Sequence, residues 1–153
     1  STTVNPIETE DSASASLQMA DGSLASLSVT TGSAAQISRH RFCFQGLTAE
    51  SNAEPYRNTS DPWTFVGDTP EIDEQIRAIL ADFRPLPEGH EGQFFRFYQA
   101  LQADDELPVT LNDARASVEL ITAMYYSAQT GQAVDLPIRQ DHSHYQSWNP
   151  KGA

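Results

Sequence analysis

The spacing at which apolar residues recur changes once along this chain, and that change restricts the possible folds more than any other feature. Segments 8–19 and 23–31 alternate small apolar and polar side chains, which is typical of strands. In the second half, apolar residues recur about every 3.6 positions and predict helices over 70–83, 90–103 and 111–130. Strands followed by helices predict an α+β fold: an open, predominantly antiparallel β-sheet with helices packed on one face.

Turn residues divide the strand region of the sequence. Asp21 and Gly22 lie between the first two segments and are a strong signal for a two-residue hairpin turn. Segment 35–52 predicts a third strand, which Gly46 ends or bulges. Segment 63–66 predicts a further short strand. The first half of the chain is therefore expected to form most of the sheet.

Capping residues mark the ends of two of the predicted helices. Thr69 and Pro70 combine an N-cap with a proline at the first helical position. Thr110 is followed three residues later by Asp113, which takes the capping-box position that Glu usually holds. Gly131 predicts the left-handed residue that ends the third helix.

The length of the chain, 153 residues, predicts one domain. A chain of this length can bury about 70% of its unfolded surface and needs no disulfide bonds or metal ions to fold. We expect a single α+β domain over residues 1–138, with a last short strand at 133–138. Residues 139–153 are mostly polar and predict an extended C-terminal tail.

Charge and cysteine content exclude several classes of function. The formal net charge is −12, from 21 acidic and 9 basic residues. Nucleic acids and anionic membranes bind clustered Lys and Arg, so neither is expected as a partner. No apolar run approaches the roughly 18 residues of a membrane-spanning helix. The single cysteine, Cys43, cannot form an intrachain disulfide, and this predicts a reducing, cytoplasmic location.

One face of the first predicted hairpin carries small hydroxyl side chains and no charge. Such side chains lose little conformational entropy when they are covered, and they bring no unpaired carboxylates into a contact. We therefore predict that this face contacts a second subunit or another domain. We call these residues the serine row: Ser12, Ser14, Ser16, Ser26, Ser28 and Thr30.

Arg39, His40 and Arg41 are the strongest candidates for binding chemistry. Arg39 and Arg41 share one strand face, where their guanidinium groups could hold a carboxylate or a phosphate through paired hydrogen bonds. The competing interpretation is that they pair with a nearby Glu or Asp on the sheet. Both interpretations stay open at this point. The three residues are predicted to contact substrate or a subunit interface.

Motifs for catalysis and cofactor binding are not found in the sequence. No G-x-G-x-x-G follows a strand and no P-loop occurs, so no nucleotide site is predicted. Cys43 is more typical of a half-buried structural thiol than of a nucleophile. His142 and His144 beside Asp141 could bind Zn or Fe, but no distant third ligand is specified. We predict neither a metal site nor catalytic residues, and we expect the tail through Trp148 to contact a partner.

Three stretches, taken in order, carry a resemblance to a known family. They are "EDSASASLQMADGSL", "RHRFCFQGLTAES" and "ARASVELITAMYYSAQTGQAVDLP". Over nearly its whole length the chain resembles the C-terminal domain of the Gfo/Idh/MocA family of NAD(P)-dependent oxidoreductases. The resemblance implies an open sheet backed by helices, a substrate pocket between the nicotinamide and this domain, and sheet faces that form a homodimer or homotetramer.

The resemblance also implies which parts of such an enzyme this sequence lacks. The Rossmann domain and the catalytic Lys, Asp and His belong to the preceding part, and Lys151 is in the wrong place to substitute. The chain alone is expected to be inactive and to hold no cofactor. In the whole enzyme it would bind a sugar, polyol or similar hydroxylated small molecule and mediate oligomerisation, with NAD or NADP as coenzyme. The alternative is a stand-alone, non-catalytic binding or assembly module that uses the open sheet face.

Overall fold

A computed structural model of the protein describes residues 3–146, which form five strands and three helices. Trp148 and Lys151 lie outside the described residues. The strands are β1 (Ser12–Gln18), β2 (Leu24–Thr30), β3 (Arg41–Phe44), β4 (Leu47–Glu50) and β5 (Thr64–Gly67). The helices are α1 (Pro70–Asp82), α2 (Gly89–Ala103) and α3 (Leu111–Thr130). No helix within residues 3–146 is long and apolar enough to span a bilayer.

The chain divides into two compact units. The first contains residues 1–32 and 104–153, and with them β1, β2 and α3. The second contains residues 33–103, and with them β3, β4, β5, α1 and α2. All strand pairs are antiparallel within the described residues, so the predicted α+β class is confirmed. The single domain over 1–138 stays a prediction.

The first unit is built on the β1–β2 hairpin. Ala15 lies opposite Leu27 in a register that pairs every residue of β1 with one of β2. Gly22 adopts φ +88°, the left-handed conformation that the turn requires, and the Asp21 carboxylate accepts the backbone N–H of Ser23 at 2.9 Å. The hairpin predicted from Asp21 and Gly22 is confirmed.

Helix α3 begins and ends as its capping residues predict. The Thr110 hydroxyl accepts the backbone N–H of Asp113 at 3.4 Å, and the Asp113 carboxylate accepts the backbone N–H of Thr110 at 2.7 Å. These bonds satisfy donors that the first turn of a helix leaves unpaired. The backbone N–H and the hydroxyl of Thr110 both donate to the Asp113 carboxylate, and they lower its pKa because they favour the charged form. Gly131 ends the helix at φ +67°.

The second unit contains a three-stranded sheet in the order β3–β4–β5, and this differs from the sequence prediction. The third strand predicted over 35–52 ends before Gly46, which is one of the two roles predicted for that glycine, and the residues beyond it form a separate strand, β4. Gly46, at φ +79°, turns the chain between β3 and β4. Cys43 is exposed rather than half-buried.

Helix α1 packs on β5 through a close approach of two backbones. A side chain at Gly67 would lie 2.9 Å from Cβ of Ile72 and 3.0 Å from the backbone nitrogen of Asp73. The Asp73 carboxylate accepts the backbone N–H of Gly67 at 2.8 Å. The Thr69 N-cap accepts the Ile72 N–H at 3.4 Å, as the sequence predicts. Glycine at the end of β5 therefore allows α1 to begin against the sheet.

The predicted last strand at 133–138 is wrong. No residue from 131 to 146 has strand structure. The backbone N–H of Ile138 is bonded at 2.8 Å to the Glu119 carboxylate on α3, in place of a partner strand. Ile138 is itself buried, so an acidic side chain holds this segment against the helix.

Candidate functional site

The two arginines of the candidate binding cluster converge on one carboxylate in the second unit. Arg41 begins β3 and lies in register opposite Glu50 at the end of β4. Nη1 of Arg41 lies 3.5 Å from Oε2 of Glu50, and Nη1 of Arg39 lies 3.5 Å from Oε1. Of the two interpretations of the sequence, the structure therefore contains the pairing of both arginines with an acidic residue of the same sheet.

This cluster keeps one unbalanced positive charge in a chain whose net charge is −12. The side chains of Arg39 and Arg41 are 54% and 59% exposed, so water screens both ion pairs. Exposed pairs of this kind contribute at most about 1 kcal/mol each. The remaining N–H donors of the two guanidinium groups can therefore bind an anionic or hydroxylated group.

His40 lies between the two arginines in sequence, and its backbone extends the strand pair. The His40 N–H donates to Oγ of Ser51 at 2.9 Å, and its carbonyl accepts the Ser51 N–H at 2.9 Å. The ring remains exposed, with Nδ1 3.3 Å from Nδ2 of Asn58. The three predicted residues are thus brought together, but His40 directs its ring to the opposite face from Arg41.

An aromatic row covers that opposite face. The Phe42 ring centroid lies 6.2 Å from Trp63, 6.3 Å from Phe44 and 6.4 Å from His40, and Trp63 lies 6.4 Å from Phe65. Alternation predicts that the rings of residues 40, 42 and 44 share a face. The contributions of Trp63 and Phe65 were missed, because they depend on the strand order β3–β4–β5. The alternation of Trp63 and Phe65 with their neighbours in segment 63–66 is the sequence signal that could have identified them.

The serine row lies on one face of the β1–β2 hairpin in the first unit. Ser14 lies opposite Ser28 in register, and the hydroxyls of Ser12 and Thr30 are 2.7 Å apart. All members except Ser12 are exposed, and Ser12 is half-buried. The predicted arrangement of these side chains on one face is present. Their role in assembly stays a prediction.

Two acidic residues before β1 organise the first unit, and the sequence analysis missed both. The Asp11 carboxylate accepts the backbone N–H groups of Val4 and Asn5, each at 2.7 Å. These bonds lower the pKa of Asp11. Glu10 accepts a hydrogen bond from the Tyr125 hydroxyl of α3, which lowers the pKa of Glu10 and raises that of Tyr125. No local sequence signal identifies these contacts.

The histidines of the C-terminal segment contact Tyr126 of α3. The Tyr126 ring centroid lies 4.6 Å from His142 and 5.5 Å from His144, in edge-on geometry, and the His144 N–H donates to Nδ1 of His142 at 3.1 Å. Asp141 is directed elsewhere and lies 3.6 Å from Nε of Arg139. Among residues 3–146, no three His, Cys, Asp or Glu side chains form a group that could hold a metal ion.

A cavity of about 450 Å³ lies beside α3 within the first unit. Oε1 of Glu119 accepts the Ile138 N–H at 2.8 Å and lies 3.2 Å from Nη2 of Arg115, so one carboxylate organises the wall. Sequence reasoning missed this cavity, because it depends on how residues beyond α3 return to the helix. Its lining includes Ala114, Arg115, Val118, Glu119, Ile138 and His144.

The fold defines the class of this protein, which is an α+β domain with antiparallel strands and a helical second half. Residues 1–136 match the model of an oxidoreductase family, C-terminal alpha/beta domain. The chain therefore belongs to the Gfo/Idh/MocA oxidoreductase family and contains its C-terminal domain. The family predicted from the sequence is confirmed. No curated protein and no solved structure matches this chain.

Proposed function

We propose that this chain is the substrate-binding and subunit-contacting part of an NAD(P)-dependent oxidoreductase that acts on a sugar, polyol or similar hydroxylated small molecule. The family match over residues 1–136 is the observation that supports it. In such an enzyme, hydride passes between the nicotinamide and a carbinol carbon, and a general acid–base group moves the proton. We assign the coenzyme and the acid–base group to a Rossmann part outside residues 1–153.

The contribution of this chain is to bind and orient the substrate or a neighbouring subunit. Arg39 and Arg41 donate hydrogen bonds to hydroxyl or carboxylate oxygens, while Glu50 holds both guanidinium groups at one place on the sheet. Planar guanidinium donors lose less rotational freedom for each hydrogen bond they form, so they support orientation as well as affinity. His40 provides a ring nitrogen beside Asn58 on the other face.

The serine row supports assembly into a homodimer or a homotetramer. It is uncharged in a chain of net charge −12, so two copies can meet there without placing carboxylates together. The single cysteine supports a reducing, cytoplasmic location.

Turnover by the full-length protein tests the proposal. The protein is supplied with NAD⁺ or NADP⁺ and a panel of sugars and polyols, and the formation of reduced nicotinamide is followed by absorbance. We expect one coenzyme and at least one hydroxylated substrate to give turnover. The alternative, a non-catalytic binding or assembly module, predicts no turnover with either coenzyme, and that result would contradict the proposal.

A further inference from the structure

The segment that follows β4 carries a side chain that contacts the His40 ring. Nδ2 of Asn58 lies 3.3 Å from Nδ1 of His40, and both residues belong to the second unit. The His40 ring is exposed, and Asn58 is half-buried. Nε2 of His40 has no hydrogen-bond partner among residues 33–103. Within this unit, one nitrogen of the ring is therefore engaged and the other is not.

The side chain of Asn52 fixes the shape of this segment. Its Nδ2 donates to the carbonyl of Arg57 at 3.1 Å and to that of Ser60 at 2.6 Å, on either side of Asn58. The Ser60 N–H also donates to the Arg57 carbonyl at 3.1 Å. Because the backbone on both sides of Asn58 is held in this way, the position of Asn58 does not depend on its contact with His40.

The residues around His40 are joined to the start of the same segment. The His40 N–H donates to Oγ of Ser51, a buried residue, at 2.9 Å. The Ser38 N–H donates to the Ala53 carbonyl at 3.2 Å. Backbone bonds and one buried hydroxyl therefore bring Asn58 and His40 together. A side chain placed in this way is suited to orient its neighbour, because its own position is already fixed.

The contact decides which nitrogen of the neutral His40 ring carries the proton. The amide NH2 of Asn58 can donate a hydrogen bond but cannot accept one. Nδ1 of His40 is then the acceptor, so the proton lies on Nε2. Without the amide, both neutral forms of the ring are accessible. Asn58 therefore makes Nε2 of His40 a fixed hydrogen-bond donor.

We propose that Asn58 is a positioning residue: it holds His40 in the Nε2–H tautomer, and Nε2–H donates a hydrogen bond to an oxygen of the bound substrate. The inference rests on the proposed function and identifies the bond that His40 contributes to it. The oxygen must offer a lone pair, as the hydroxyls of sugars and polyols and the carbonyls of their oxidised forms do. The other tautomer would direct a lone pair at a carbonyl oxygen and could not bind it.

Nitrogen NMR of the full-length protein with isotope-labelled histidine tests the tautomer at about pH 8, where an ordinary histidine is neutral. The His40 signal is the one that His40→Phe removes. We expect Nε2–H in the wild type, a mixture in Asn58→Ala, and Nδ1–H in Asn58→Asp, because a carboxylate only accepts. Thr59→Ala, at the neighbouring exposed position, is the matched control and should keep the wild-type tautomer. An Nδ1–H or mixed ring in the wild type, or no change in either Asn58 variant, would overturn the positioning role.

Substrate kinetics of the full-length protein test whether Asn58 acts through His40. His40→Phe and Asn58→Ala should each raise KM for the sugar or polyol about three- to tenfold and change kcat less, because one neutral hydrogen bond is lost. The double variant should match His40→Phe, because no imidazole is left to orient. Effects that multiply in the double variant, or an unchanged KM in both single variants, would overturn the proposal.

Failure of this inference and failure of the proposed function give different results. Absence of coenzyme turnover would contradict the oxidoreductase proposal. The tautomer of His40 is measured without coenzyme or substrate, so it would still decide whether Asn58 positions the ring.

Discussion

Arg41 of β3 lies directly opposite Glu50 of β4, and the same carboxylate also pairs with Arg39 at 3.5 Å. One acidic residue thus positions two guanidinium groups at the start of a strand pair. Because all three side chains are solvent-accessible, the arrangement contributes little to folding. It places a net positive group on an acidic protein, which the proposed binding role would require.

Substitution of Arg41 separates binding from stability. Arg41→Ala should lower the free energy of unfolding by less than about 1 kcal/mol, because the pair is exposed. In the full-length protein, the proposed function predicts that it raises KM about tenfold or weakens subunit association, because a charge-assisted hydrogen bond is lost. Steady-state kinetics and sedimentation measure the two effects. Arg77→Ala, which breaks an exposed pair with Glu74 on α1, is the control, and equal effects of both variants would exclude a binding role.

Introducing charge into the serine row tests its role in assembly. Ser14→Glu combined with Ser28→Glu adds two carboxylates to the face that each copy would have to cover, so the oligomer should shift to a smaller assembly in sedimentation. Gln99→Glu combined with Gln102→Glu adds the same charge on exposed positions of α2 and should leave the mass unchanged. An unchanged mass in both double variants would show that the serine row is merely exposed.

The approach of α1 to β5 makes Gly67 sensitive to any side chain. Gly67→Ala places a Cβ 3.0 Å from a backbone nitrogen of α1, so the helix must move, at a cost of about 2 kcal/mol. Gly22→Ala is the matched control: it has open space around it and loses only about 1 kcal/mol through its positive φ. Denaturant unfolding of the two variants compares these costs. A smaller loss for Gly67→Ala would contradict the packing of α1 on β5.

Acid should weaken α3 through its N-terminal capping box. Hydrogen bonds from Thr110 lower the folded-state pKa of Asp113, so the unfolded chain binds the proton more readily. The stabilisation of the folded state by the charged Asp113 side chain is complete above the ordinary aspartate pKa. It is lost as the pH falls through the lowered pKa of the folded state. Asp113→Asn cannot titrate, so its difference in unfolding free energy from the wild type should shrink between about pH 5 and pH 3.

Parallel pH profiles for wild type and Asp113→Asn would contradict this account of the cap. Ser117→Ala removes a non-titrating hydroxyl that donates to the Asp113 carbonyl on the same helix. Its unfolding free energy should therefore follow the pH profile of the wild type with a constant offset.

Helices and the first hairpin could be predicted from the sequence because their determinants are local. Thr110, Asp113 and Gly131 each act within one turn of α3, and Asp21 with Gly22 forms a two-residue turn. Propensity and capping are properties of neighbouring residues, so the helix boundaries follow from the sequence to within one position. The first strand of the hairpin begins at Ser12, four residues after its predicted start.

Strand pairing and the candidate sites were less predictable because they depend on residues distant in sequence. Segment 133–138 was predicted as a strand, yet Glu119 takes the N–H of Ile138 that a partner strand would have used. The contact of Tyr125 with Glu10 joins residues 115 positions apart. The arginine cluster was predicted as a group, but which acid pairs with it required the register of β3 and β4.

Nicotinamide fluorescence during titration with NADH and NADPH tests the central claim most directly, that this chain belongs to an oxidoreductase whose coenzyme site lies elsewhere. The full-length protein and residues 1–153 alone are compared at equal concentration. The account predicts saturable, stoichiometric binding of one coenzyme by the full-length protein and no change for residues 1–153. Stoichiometric binding by residues 1–153 alone, or none by the full-length protein, would contradict it.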